Sequence, residues 1–287
     1  MNEPVQPTVP VTVIKPRKGW QVIDFGELVA YRDLFYFLTH RAIRTRYAQS
    51  GLGLGWAVIQ PVATTIVFTL VFGRGLGIQD SDIPDPVNKM SALVMWLYFQ
   101  SAVTEGIQTL VAEQNMISKI YFPRLILPIS RILARLLDFF VSLLILGALM
   151  LYYGIVPNWA LLLFPLLVLM MLCSAAGLGL LFGAMAVQYR DINHAMGFVM
   201  RLLLFTTPVI FSVQMIVPDE YAQYRPIYAL NPMVGVIEGF RYALFKDLSV
   251  DPVPWDLILP SMLTSVVTLV AGAMYFRRKE RVFADVA

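Results

Sequence analysis

Residues 159–187 read WALLLFPLLVLMMLCSAAGLGLLFGAMAV, 29 consecutive positions without one Asp, Glu, Lys or Arg. A helix rises about 1.5 Å per residue, so about 20 apolar residues cross the hydrocarbon core of a bilayer. Working outward from this run, five further stretches have the same character: 54–77, 90–112, 125–153, 196–216 and 257–276. The chain therefore reads as an all-α, polytopic membrane protein of about six spans. Composition agrees: 58% of residues are hydrophobic and 14% charged, against about 45–50% and about 25% in soluble chains. Pro61, Pro165, Pro208 and Pro260 fall inside these runs, which is tolerated where neighbouring groups satisfy the freed carbonyls.

The basic residues give the orientation. With six crossings, 17 of the 22 Lys and Arg collect on one side. These lie before the first span, after the second and fourth, and behind the last. Basic residues mark the cytoplasmic side, so both termini are predicted to be cytoplasmic. Residues 1–24 form a polar, Pro-rich tail with no apolar core, so no cleaved signal peptide is expected. Residues 277–287 form a short basic tail. Asn231 to Phe245 is apolar but too short for a seventh span, and it contains Glu238 and Arg241. It reads as a short helix started by Asn231 and Pro232, lying in or dipping into the outer leaflet. It belongs to an external region, 217–255, with a helical hairpin.

Between tail and first span, residues 25–47 place Leu28, Tyr31, Leu34, Phe35, Leu38 and Ala42 on one helical face. Asp33, His40, Arg41 and Arg44 lie opposite, with Phe37 breaking the pattern. Such a basic amphipathic helix belongs in the headgroup layer, either as a lipid anchor or with its polar face turned to a cytosolic partner. Gly51, Gly53 and Gly55 then form an elbow; without a following GK[ST] they are no phosphate loop.

Chemistry-bearing motifs are absent. There is no P-loop, no H-E-x-x-H, no C-x-x-C and no G-x-S-x-G. One cysteine, Cys173, and two distant histidines exclude an intramolecular disulfide and a Cys/His metal centre, so no metal or cofactor is expected on this chain. Asp80-Ser81-Asp82 reads as a solvated external turn. Charges within or beside spans, such as Glu105 in the second, are costly unless paired or wet. Arg135 and Asp138, three residues apart, suit an ion pair. Alternatively Arg131, Arg135 and Arg201 ring a vestibule for an anionic headgroup. Phe68, Phe72, Phe99, Phe205 and Phe211 lie too deep for an interfacial belt; they either pack or face a passing sugar.

Four segments carry a family resemblance: DLFYFLTHRAIRTRYAQSGLGLGWAVIQPV (33–62), NMISKIYFPRLILP (115–128), QYRDI (188–192) and LNPMVGVIEGFRYALF (230–245). In this order the chain resembles the membrane subunit of ABC-type polysaccharide exporters, which move O-antigen, capsular polysaccharide or teichoic acid across the bacterial inner membrane. The resemblance implies a homodimer with one channel, and two copies of a separate subunit that binds ATP and Mg. It implies a coupling segment, with Met116, Ile117, Lys119, Tyr121, Phe122 and Arg124 as contacts to that subunit. It also implies an outer gate, where Tyr221, Tyr224, Tyr228, Glu238 and Arg241 meet the glycan. Lipid-linked polysaccharide is the expected cargo and no nucleic acid is expected as a partner. The alternatives are an exporter of a drug or simple lipid, and a membrane-embedded glycan transferase, for which no catalytic cluster is present.

Overall fold

The computed structural model describes residues 25–48, 50–77, 83–113, 116, 122–189, 191–245 and 253–280. Among these, every regular element is helical. Helices α1 (Phe25–Ala30) and α2 (Arg32–Tyr47) lead into α3 (Gly55–Phe68), which continues as a π-helical turn, Thr69–Gly75. Then come α4 (Asp85–Ala112), α5 (Ile126–Ala134) and α6 (Leu136–Tyr152), and a 3-10 turn, Trp159–Leu163, opens α7 (Phe164–Gln188). The chain continues through α8 (Asp191–Thr206), α9 (Val213–Ile216), a 3-10 turn at Asp219–Tyr224, α10 (Arg225–Tyr228), α11 (Pro232–Phe245) and α12 (Trp255–Lys279).

Four helical stretches are long and apolar enough to cross a membrane: Gly55–Gly75, Ile126–Tyr152, Trp159–Gln188 and Trp255–Lys279. They coincide with the first, third, fourth and sixth apolar runs. The second run lies in α4, whose 28 residues extend for about 42 Å. This helix is the buried pillar of the bundle: Met90, Met95, Trp96, Phe99, Ala102 and Val103 are all almost fully enclosed. The fifth run does not stay one helix. Pro208 disfavours helical backbone at Thr207 and donates no N–H, and α8 ends at Thr206.

Helix α7 packs against both α4 and α12, and small residues set the spacing. A Cβ on Gly272 would overlap the Gly177 carbonyl, and one on Gly106 would lie 3.0 Å from the Gly179 Cα. Membrane helices gain most of their association from such close backbone contact. Ser174 and Ser265 hydrogen-bond across the same seam at 2.8 Å.

Helix α11 is enclosed by other helices of the bundle. Met233, Val234, Val236, Ile237 and Phe240 are buried against α4, α7 and α12. Apart from the Glu238–Arg241 pair this helix is apolar and needs cover on most of its sides, and Gly235 and Gly239 let the neighbouring helices approach. Asn231 starts it as predicted, its Oδ1 accepting from the Met233 N–H at 3.1 Å. Ser261 on α12 donates to the Ala229 carbonyl and accepts from the Gly235 N–H, both at 2.9 Å. The turn of this hairpin is thus held six residues along α12 from Trp255, about 9 Å along that helix.

Helix α2 differs from the lipid-anchor expectation. Leu38 and Ala42 are buried, with Tyr31, Leu34 and Phe35 half-buried, and the helix packs on α5. Leu38 shares a cluster with Phe122, Leu125, Leu180 and Phe276. The apolar face is covered by protein.

Candidate functional site

Where the C-terminus of α2 meets α3, α4, α5 and α6, the bundle encloses a cavity of about 510 Å³. Its charged end is built from Arg46 on α2, Glu105 on α4, Arg131 on α5, and Arg135 and Asp138 at the α5–α6 junction. Helix periodicity selects these residues: Arg131 and Arg135 are one turn apart, and Glu105 follows Ser101, Tyr98, Leu97 and Val94 down one face of α4. Pro61 and Ala57 line the α3 wall; proline has no N–H for the carbonyl four residues earlier, so the Ala57 carbonyl lacks its helical partner.

The ionic groups form one network. Arg46 donates to Glu105 at 2.9 Å and to Asp138 at 3.1 Å. Arg135 donates to the same carboxylates at 2.7 and 3.2 Å. Arg131 lies 3.8 Å from Glu105 and donates to Glu113 at 2.7 Å, and Glu113 also faces Arg41 at 3.9 Å. The Tyr47 hydroxyl donates to Asp138. Burial first, and that hydrogen bond second, push the Tyr47 phenol up to about 12. A charge-assisted network holds geometry well, while desolvation takes back most of its net stabilisation.

Of the three predicted vestibule arginines, Arg131 and Arg135 meet in this cavity. Arg201 lies exposed on α8 and is not among the lining residues. The Arg135–Asp138 pair is present. Arg46, Tyr47 and Gln60 were not singled out from sequence. Glu105, a lone acid inside an apolar run, signals that some cation must approach it, without saying which.

In the coupling segment, Ile117, Lys119 and Tyr121 lie outside the described residues. Met116 rests against the cluster around Leu38, and Arg124 donates to the Glu280 carbonyl. Phe122 is buried and anchors the segment to the bundle, so its ring is not a surface for another chain. Asp33, His40, Arg41 and Arg44 are exposed on α2 as expected, and so are Tyr36 and Phe37.

The aromatic candidates are dispersed. Phe99 is buried in the core beside Trp96, which makes it a packing residue. Phe68 and Phe72 pack with ring centres 5.3 Å apart and planes tilted by 56°, Phe205 is exposed on α8 and Phe211 is half-buried. In the hairpin, Tyr221 and Tyr224 are half-exposed and 6.4 Å apart, and Glu238 pairs with Arg241 at 2.9 Å. Tyr228 is half-buried, and burial followed by the nearby Glu238 raises its pKa.

The chain matches the family described as ABC-2 type transporter over residues 33–245. The chain belongs to that family. Every residue lining the cavity of this ABC-2 transporter chain falls inside the matched stretch. It is 30% identical over 260 residues to the O-antigen export system permease protein RfbA of Myxococcus xanthus, covering 90% of this chain and 97% of that protein. It is 24% identical over 259 residues to a protein of the same description from Klebsiella pneumoniae, covering 88% and 95%. The polysialic acid transport protein KpsM of Escherichia coli is 27% identical over 248 residues, covering 84% of this chain and 91% of its own length.

Proposed function

We propose that this ABC-2 transporter chain is the membrane-spanning subunit of an exporter that moves lipid-linked polysaccharide across the bacterial inner membrane. The observation that carries the reading is the end-to-end similarity to permeases named for polysaccharide export, which spans 97% of the first relative. ATP and Mg bind a separate subunit, in keeping with the absence of any phosphate-loop motif in this sequence. Two copies of each subunit assemble, and residues 115–124 together with the exposed face of α2 receive the motor. Both termini lie in the cytoplasm, the side to which the basic residues sort. The hairpin from residue 217 to Phe245 gates the far side, and Tyr221 and Tyr224 meet the emerging chain.

A deletion strain tests this directly. The expected outcome is glycan accumulating on the cytoplasmic leaflet while surface glycan disappears; normal surface glycan would refute the assignment.

A further inference from the structure

We propose that Lys89 is a positioning residue for export: its buried ammonium seats the near foot of the hairpin and so sets how far Tyr221 and Tyr224 can move. The role in export rests on the gate reading above; the contacts that seat the foot do not.

Lys89 lies one turn from the start of α4, where a lysine ordinarily reaches out to water. Instead it is 3% exposed. A desolvated ammonium is costly unless its charge and donors are met, so its partners are informative. It donates to the Ile210 carbonyl at 2.9 Å and lies 3.8 Å from Asp85 on the same helix. Asp85 in turn presses on the π-helical turn that continues α3, where a Cβ on Gly73 would overlap its carboxylate. The Asp85 Oδ2 is buried without a hydrogen-bond partner among the described residues, so the positive charge of Lys89 is what offsets it. One side chain therefore joins the end of the first span, the start of α4 and the stretch behind α8.

That stretch, residues 207–212, is the non-helical backbone at the Pro208 break. Carbonyls at such a break have lost their helical donors, and Lys89 supplies one from another helix. Thr207, Val209 and Ile210 are fully enclosed, so the stretch is a seated turn. It leads straight into α9, which Ser212 caps by accepting from the Met215 N–H at 3.3 Å. The hairpin thus stands on two feet. The far foot, 229–235, is fixed to α12 by Ser261, and the near foot, 207–212, to α4 by Lys89. Asn231 ties the feet together, its Nδ2 donating to the Thr207 hydroxyl at 2.9 Å. The two anchors differ in kind. Ser261 belongs to the helix that meets α7 backbone to backbone at Gly177 and Gly272. Lys89 is a long, flexible side chain whose ammonium can exchange the Ile210 carbonyl for Asp85. When the hairpin moves, the near foot lets go and the far foot is the pivot.

Hydrogen exchange on the purified full chain in phosphatidylcholine nanodiscs reads each foot separately. Lys89→Met alone would strand the Asp85 carboxylate, so it is combined with Asp85→Asn to leave no buried charge. In this double variant amides 209–224 should exchange at least about tenfold faster, the opening expected from losing one hydrogen bond to a charged group. Amides 229–237 and the α7–α12 seam should keep their protection. Lys89→Arg, which keeps charge and donor, should stay close to the parent, and so should Arg74→Gln, exposed on the π-helical turn. Unchanged exchange over 209–224 overturns the proposal. Faster exchange spread evenly over both feet and the seam overturns it too, by making Lys89 a residue of general stability. In cells the double variant should lower surface glycan several-fold, and Lys89→Arg should retain it. Normal surface glycan in the double variant removes the role in export and leaves the exporter assignment standing. Normal surface glycan in a deletion strain removes that assignment and leaves the exchange result untouched.

Discussion

Glu105 is the residue on which three cations converge, and its side chain is 19% exposed. Glu105→Gln keeps the shape and removes the charge, leaving Arg46, Arg131 and Arg135 to repel one another. The expected cost is about 2–3 kcal/mol, below the range for fully enclosed pairs because solvent still reaches the site. Thermal unfolding in detergent reads it as a midpoint lowered by several degrees, with Arg44→Gln on the exposed face as the unchanged control. Tyr47→Phe removes the donor to Asp138 and lowers the midpoint at neutral pH. The Tyr47 phenol is raised from 10.0 to about 12, so its contribution is complete below pH 10. It is lost as pH rises through about 12, because the unfolded chain ionises first. Melting both proteins across that window should show their difference shrink; a constant difference excludes the Tyr47–Asp138 bond as its source. Sequence reasoning finds Glu105 because a charge inside an apolar run is conspicuous. It does not find Arg46, 59 residues away in sequence, since that pairing depends on how α2 folds back against the bundle.

At the level of elements, glycines decide which helices can touch. Gly272→Val places side-chain atoms where the Gly177 backbone already is, and it should abolish monodisperse elution of the solubilised protein. Gly147→Ala, with nothing within 4 Å, should elute as the parent does. Ser261→Ala removes the hydroxyl that ties both arms of the hairpin to α12, at about 1–2 kcal/mol. Faster proteolysis around residues 217–230, with the spans intact, is the expected sign; unchanged cleavage would show that the hairpin is held otherwise. The helical start at Asn231 and Pro232 was legible, because capping is a local signal. The burial of α11 was not: Glu238 and Arg241 argue against an inside position until they are seen to pair with each other. The break after Thr206 follows from Pro208, a residue type that a membrane helix tolerates only where neighbouring groups satisfy the freed carbonyls.

For the molecule as a whole, length and charge were sufficient for the class, since apolar runs and basic loops act additively and need no tertiary contacts. The proposed orientation is checked with one introduced cysteine at a time in a Cys173→Ala background. Tyr221→Cys should react with a membrane-impermeant maleimide on intact spheroplasts, and Asn2→Cys only after lysis. The opposite pattern would invert the protein and remove the motor-docking and gate assignments together. The crossing of α7 and α12 has a mechanical consequence. Two backbones in direct contact at Gly177 and Gly272 have no side-chain layer to slide or re-pack, so these helices must travel as a single rigid body through any working cycle. The seam between α2 and the α4–α6 wall is closed by side chains instead, the Leu38 cluster and the ionic ties of Arg46, and side-chain contacts can exchange where backbone contacts cannot, so that is where the molecule can hinge.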